Sequence, residues 1–309
     1  MKDFFSEYGR VIIVGALVIL VLMFSTPFGQ AVTQSISYFT AGFAGKNNAS
    51  LELVTIGLDG SGGGAGGGTI TVDGTNITLS NDADGNGVVS KGDTLTFDKT
   101  YLYGNAASTS PDQFLVLNTN GYDVELLATS NYQNSKFNIS FTTATDSTGK
   151  PVQKYEGSTL DTLLNTTYYN SLSSTVQSKI KPKDIIQNTW RFNGTPAEAT
   201  VSALDGTPYT YKKTGTVGTY NRNVYALDVQ DVIDYLGTSF TGEGVNEMFF
   251  NIESAQPGKY VWLRSADYGT DSGSSYCYAF YVGGDNGYLN YTSHIISNEA
   301  RPAFTITLN

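Results

Sequence analysis

The stretch DADGNGVVSKGD, residues 82–93, concentrates oxygen-bearing side chains at regular intervals. Counting Asp82 as position 1, such side chains fall at positions 1, 3, 5, 9 and 12: Asp82, Asp84, Asn86, Ser90 and Asp93. Gly87 holds position 6, where a sharp turn is needed, and Val88 at position 7 would give only its backbone carbonyl. A tight glycine turn folds successive odd positions inward, and six to eight hard oxygens at that spacing suit Ca²⁺. The metal candidates are therefore Asp82, Asp84, Asn86, Val88, Ser90 and Asp93, with calcium in a structural role. The alternative is a polar Asx turn that binds no metal.

A second group of charges crowds the start of the chain. Asp3, Glu7 and Arg10 precede an uncharged run, Val11 to Phe24. Buried carboxylates require partners, so Asp3 and Glu7 would need Arg10, Lys2 or an amine of another copy; the alternative is that these charges sit in interfacial water. In the last strands Trp262 and Arg264 lie two residues apart, which in a regular strand puts them on one face. That makes them ligand-contact candidates through cation–π or bidentate carboxylate chemistry. A structural network of Arg264 and Arg301 onto backbone groups is the alternative.

Other chemistry is restricted by composition. The chain has one cysteine, Cys277, and one histidine, His294. No intrachain disulfide or Cys-based zinc site can form, and Ser-His-Asp and Cys-His catalysis lose nearly all support. With 28 acidic against 18 basic residues and a net charge of −10, the balance argues against nucleic acid. Low charge content with many Gly, Thr, Asn, Ser and Tyr suits an extracellular protein. No acid, base and nucleophile constellation emerges, so the expectation is a protein that is not an enzyme.

The elements that must position these residues follow from patterning. Val11 to Phe28 would span about 27 Å as a helix, enough for a hydrocarbon core. Beyond it Phe28, Val32, Ile36, Phe39 and Phe43 keep a stripe at helical spacing. A signal peptide would show a basic start and a small-x-small site directly after the apolar run, and a plain tether would give way to a polar linker. One helix over 1–46, apolar all round and then striped, is the favoured reading, with a signal peptide and a plain membrane tether as the alternatives. Pro27 and Gly29 mark a kink in it. The segment resembles the N-terminal helix of type IV pilin-like subunits, and EY at 7–8 is similar to tight-adherence pilins. That resemblance implies membrane residence before assembly, a filament core afterwards, and a role for Glu7 against a neighbouring terminus. It departs in placing Glu7 two positions later than in that family. The assembly candidates are Asp3, Glu7, Arg10, Phe28, Val32 and Ile36.

After GKNNAS the pattern turns to strands. LELVTIGL (51–58) and TITVDGTNITL (69–79) alternate, with a flexible glycine-rich loop between them. The 82–93 loop resembles EF-hand and dockerin loops, with Asp93 in place of the bidentate Glu. The following TLTFDKTYLYG reads as strand, so a calcium-stapled β-loop is expected rather than helix-loop-helix. DQFLVLNTNGYDVELLA reads as two strands joined at Asn120-Gly121. Ser158 caps a helix with Leu160, Leu163, Leu164 and Tyr168 on one face. NVYALDVQDVIDYLG gives strand into helix, stopped by Gly237.

YEGSTLDTLLN, WLRS and RPAF together resemble a module of Gram-positive surface proteins, over roughly 105–309. That module is in turn distantly similar to the C-type-lectin-like fold of formylglycine-generating enzymes. The enzymatic role does not carry over, because that family uses paired cysteines. The tyrosine-rich run YCYAFYVGGDNGYLNY is either sugar-stacking surface or ordinary sheet core.

The expected fold class is α+β: a long N-terminal hydrophobic helix followed by a β-rich globular head with a few helices. The expected domains are 1–46, 47–104 and 105–309. The expected function is a structural subunit of an extracellular bacterial filament, a helical homopolymer with itself as partner. It would be membrane-inserted before assembly and located at the cell surface, and its head would be open to a host or cell-surface glycan. The alternative is a membrane-anchored adhesin or carbohydrate-binding protein.

Overall fold

The computed structural model describes residues 69–72, 75–139, 143–267 and 278–308, all within one compact unit. Its first strands are Thr69–Val72 (β1), Thr75–Asn81 (β2) and Thr94–Phe97 (β3), followed by a short helix Lys99–Tyr103 (α1). Strands Gln113–Asn120 (β4), Asp123–Ala128 (β5), Gln133–Lys136 (β6), Thr143–Thr145 (β7) and Pro151–Gln153 (β8) come next. A helical stretch runs from Thr159–Thr162 (α2) through a π turn, Leu163–Tyr168, into Tyr169–Ser171 (α3), then Ser174–Lys179 (α4). Ile180–Lys181 (β9), Lys183–Phe192 (β10), Ala199–Ser202 (β11) and Pro208–Arg222 (β12) precede the helix Val229–Leu236 (α5). Ser239–Thr241 (β13) leads into Gly242–Phe250 (α6), and the chain ends in Tyr260–Asp267 (β14), Tyr278–Gly283 (β15), Tyr288–Ser293 (β16), Ser297–Ala300 (β17) and Ala303–Thr307 (β18).

These strands form two main sheets. One has the order β1-β2-β3-β4-β5-β18-β9 and is antiparallel throughout. The other runs β13-β11-β12-β10-β14-β15-β16, with β17 joining β14 to β6. Alternation explains the first sheet. Partners Ile77↔Phe97, Leu95↔Phe114, Val116↔Leu126 and Leu126↔Phe304 put one apolar face across five strands. All of these side chains are at most 1% exposed, so a one-residue slip anywhere would turn that strand's apolar set to solvent. The sheet is continuous across position 104, since β3 pairs with β4.

Local signals place the connections. The β4–β5 loop is Gly121-Tyr122, closed by Asn120↔Asp123, with Gly121 at φ 63° as the first central residue. That is the position where a II′ hairpin needs glycine. Ser158 accepts a hydrogen bond from Asp161 N and starts α2, and Leu160, Leu163, Leu164 and Tyr168 are all buried. Asp228 and Asp231 form a reciprocal capping box on α5, which stops at Gly237.

The expected fold class needs correction. The described residues are β-rich, 44% strand against 19% helix, and among them there is no long apolar helix. The longest α-helix among the described residues, α6, has nine residues, and no described helix is long and apolar enough to cross a membrane. Apolar residues here recur with period two between Gly and Asn turns, a pattern that builds sheets and leaves helices only as short connectors. The expected helix over 1–46, with Asp3, Glu7, Arg10, Phe28, Val32 and Ile36, lies outside the described residues, as do the 51–58 strand and Cys277.

Candidate metal centre

β2 and β3 are antiparallel neighbours, and residues 82–93 close the gap between Asn81 and its partner Thr94. The loop is therefore carried by a β-hairpin. Its end is anchored on the next strand: Gly92 N donates to Val116 O at 3.0 Å, and Val116 N donates to Asp93 O at 2.8 Å.

Within the loop the chain winds around its own carboxylates. Asp82 accepts from Asn86 N at 3.2 Å and Gly87 N at 2.7 Å. Asp84 accepts from Asn86 N, from Asn86 Nδ2 at 2.6 Å and from Ser90 Oγ at 3.0 Å. Asp93, fully buried, accepts from Ala83 N at 2.8 Å and from Ser90 N at 2.7 Å. Gly87 takes φ 73°, a left-handed turn that a side chain would strain. The result is convergence: one carboxylate oxygen each from Asp82, Asp84 and Asp93 lies within 4.8 Å of the other two.

Three carboxylates this close repel one another, and the loop's only cation is directed elsewhere. Lys91 Nζ reaches Asp234 O at 3.5 Å and sits 4.8 Å from the centre of the Tyr235 ring on α5. The Tyr235 phenol is pushed up to about 12, by burial first and then by Glu247 and Asp93. Hard oxygens without a neutralising ammonium fit a divalent cation of the Ca²⁺ type. Asp82, Asp84 and Asp93 would hold it. Asn86 Oδ1 accepts from Val88 N at 2.6 Å and Ser90 Oγ lies between Asp84 and Asp93, so both border the acidic trio.

Trp262 and Arg264 sit in the core. Trp262 is 1% exposed and its Nε1 donates to Ser135 O at 2.7 Å. Arg264 is 3% exposed and donates to Ile186 O, Ala226 O and Asp231 Oδ2 at 2.6–2.8 Å. A register shift in β14 between Trp262 and Ala266 breaks the simple alternation, so the two side chains serve different neighbours. Burial opposes the Arg264 charge, but Asp231 and Asp228 outweigh it and hold the guanidinium above its usual range. Arg301, 4% exposed, donates to the carbonyls of Thr129 and Phe249 and to Glu299. Both arginines knit strands to their surroundings.

Residue-type reasoning missed the acceptor at the centre of the second sheet. Asp228, fully buried, accepts from Asn188 N, Asn188 Nδ2 and Trp190 Nε1 as well as capping α5. The spacing Asp228-x-x-Asp231 before an apolar helical run was the available signal. His294 is buried at the β16–β17 turn, where its carbonyl accepts from Asn138 N.

No curated protein and no solved structure matches the chain. The metal-loop residues precede a stretch that a family model covers, and the Trp262, Arg264 and Arg301 network lies inside it. Residues 125–308, more than half of the chain, match the domain of unknown function DUF6273, and the chain belongs to that family.

Proposed function

We propose that the chain is a structural subunit of an extracellular bacterial filament. It assembles through its apolar N-terminal segment, displays the β-rich head and has no catalytic role. The observation that carries this reading is the union of two features in one chain. One is an uncharged run, Val11–Phe24. The other is a head whose buried cations, Arg264 and Arg301, are committed to backbone carbonyls and carboxylates that join strands. An apolar segment that leaves lipid must be covered by another apolar surface. Copies of the same segment supply one, and a head-to-tail contact that does not close extends into a fibre. Before assembly the same segment resides in the membrane, and the finished protein belongs to the cell surface.

The 82–93 loop takes Ca²⁺ as a staple at the β2–β3 hairpin, a structural use compatible with a weak extracellular-type site. Support comes from the three converging carboxylates and the glycine turn that brings them together.

Electron microscopy of sheared cell-surface material tests the reading. Regular fibres that disappear on deletion of residues 1–45, with the head still exported and folded, are the expected result. Membrane-bound monomers in the wild type, with no fibres under any growth condition, would overturn it and leave an anchored surface protein.

A further inference from the structure

We propose that a polar cleft at the junction of β6, β17 and the start of β14 binds a single neutral saccharide ring, the terminal residue of a glycan. The cleft has a volume of about 180 Å³ and is walled by Asn131, Asn134, Lys259, Tyr260, Asn298 and Glu299. β17 holds the floor together, because Glu299 pairs with Asn134 on β6 at one side and with Val261 on β14 at the other.

The polar groups of the cleft are held in place before any ligand arrives. Glu299 is 6% exposed, with one oxygen 3.0 Å from Lys259 Nζ and the other 2.8 Å from Arg301 Nη2. Arg301 is itself fixed by two backbone carbonyls and lies 4.8 Å from the Phe250 ring centre. Asn131 accepts from Ala300 N at 3.2 Å and donates to Asn134 Oδ1 at 2.8 Å. That orientation turns the Asn134 oxygen to its neighbour and leaves its amino group for another acceptor. Asn298 is 6% exposed, and its Nδ2 has no hydrogen-bond partner among the described residues, a donor that calls for an oxygen. Tyr260 borders the cleft, with its ring edge-on against Tyr281 at 5.5 Å and its hydroxyl donating to Asp285 at 3.3 Å.

Ligand class follows by elimination. The one ammonium and the one carboxylate that line the cleft are engaged with each other, and Glu299 also holds Arg301, so neither an anion nor a cation meets an unpaired charge there. Amides and a carboxylate dominate the lining, which disfavours an apolar ligand. Drug-sized ligands occupy pockets of about 300–1,000 Å³, well above this volume. A compact molecule with neighbouring hydroxyls remains, each able to donate and accept against the amide-rich lining. This proposal does not depend on the filament reading, since a solitary head would bind equally well.

Saturation-transfer NMR of the full chain, kept in a detergent without a sugar headgroup, provides the test. The probes are the methyl glycosides of glucose, galactose, mannose and N-acetylglucosamine at millimolar concentration. Transfer to at least one glycoside is expected. Asn134→Ala and Lys259→Met should each weaken it about ten-fold, as loss of one hydrogen bond from a charged or fixed group predicts. Asn134 and Lys259 are exposed, and Arg301 still holds Glu299 when Lys259 is replaced, so both variants should stay folded. Tyr122→Ala, at the β4–β5 turn, should change nothing. Absence of transfer to all four glycosides, or undiminished transfer in both cleft variants, would overturn the proposal.

Discussion

Removing calcium from the 82–93 loop should destabilise the head, and the size of the effect can be worked from the geometry. Oxygens of Asp82, Asp84 and Asp93 lie within 4.8 Å of one another. Each pair of unit charges at that separation repels by about 1 kcal/mol in a water-like medium and about 3.5 kcal/mol at an effective dielectric of 20. Asp84 is exposed and Asp93 is buried, so the trio belongs nearer the lower figure. A cation that relieves such repulsion at an extracellular-type site binds with a dissociation constant of about 10⁻⁴–10⁻³ M. At about ten to one hundred times that concentration, linkage stabilises the fold by about 1.4–2.7 kcal/mol. For a unit of this size each kcal/mol moves the melting temperature by about 2–4 °C. Differential scanning fluorimetry in excess chelator and in saturating Ca²⁺ should therefore differ by about 3–11 °C.

Asp84→Ala makes the test sharper. In calcium the variant should melt below the wild type. In chelator the gap should shrink, because the mutation also removes two of the three repulsive pairs. Mg²⁺, which holds its waters and prefers a strict octahedron, should reproduce little of the shift. Every carboxylate in the loop also accepts hydrogen bonds from the loop itself, so a metal-free Asx turn is the concrete rival. Equal melting temperatures with and without Ca²⁺, or a response retained in Asp84→Ala, would refute the metal argument and leave that turn.

Two further perturbations address the core. Arg264→Leu would leave the carbonyls of Ile186 and Ala226 and the carboxylate of Asp231 without their donor, and breaking a buried pair from one side costs about 3–5 kcal/mol. Urea unfolding should show that loss, and a change below about 1 kcal/mol would contradict the strand-tying role. Asp146 lies under burial that raises its pKa, yet hydrogen bonds from Lys150 N, Thr148 and Thr189 prevail and hold it below the model-peptide value of 3.8. A depressed carboxylate stabilises fully above 3.8 and loses its contribution as pH falls through the folded value. Stability should thus decline below about pH 4, and Asp146→Asn should flatten that decline; an unchanged acid limb in the variant would disprove the assignment.

Local chemistry was legible in the sequence where a single residue type has one structural use. The Ser158 cap, the buried face of Leu160, Leu163, Leu164 and Tyr168, the Gly237 stop and the strands around Gly121 are of this kind. Partnership between distant strands was not legible. β18 inserts between β5 and β9, pairing Phe304 with Leu126 and Ile306 with Ile180. Periodicity announces such a strand without naming its neighbours. The same limit explains Trp262 and Arg264, whose shared face assumed an unbroken strand that the register shift in β14 removes. The fold class failed for a related reason: a long apolar run dominated the reading, while the described residues are organised by period-two alternation.

The two candidate sites differ in how they depend on the rest of the molecule. Asp82, Asp84 and Asp93 come from one hairpin loop, so their spacing is written in twelve consecutive letters and survives any rearrangement of distant strands. The cleft at Glu299 has no such local source. Its walls come from residues 131–134, 258–260 and 297–299, brought together only when β17 is laid between β6 and β14. Arg301, the residue just beyond that strand, locks the arrangement by holding Glu299 from beneath. A substitution there should therefore disturb the cleft through Glu299 while leaving the hairpin loop intact, since no hydrogen bond or ion pair among the described residues runs directly from Arg301 to residues 82–93. The loop is legible early and acts locally, whereas the cleft exists only as a consequence of the finished sheet.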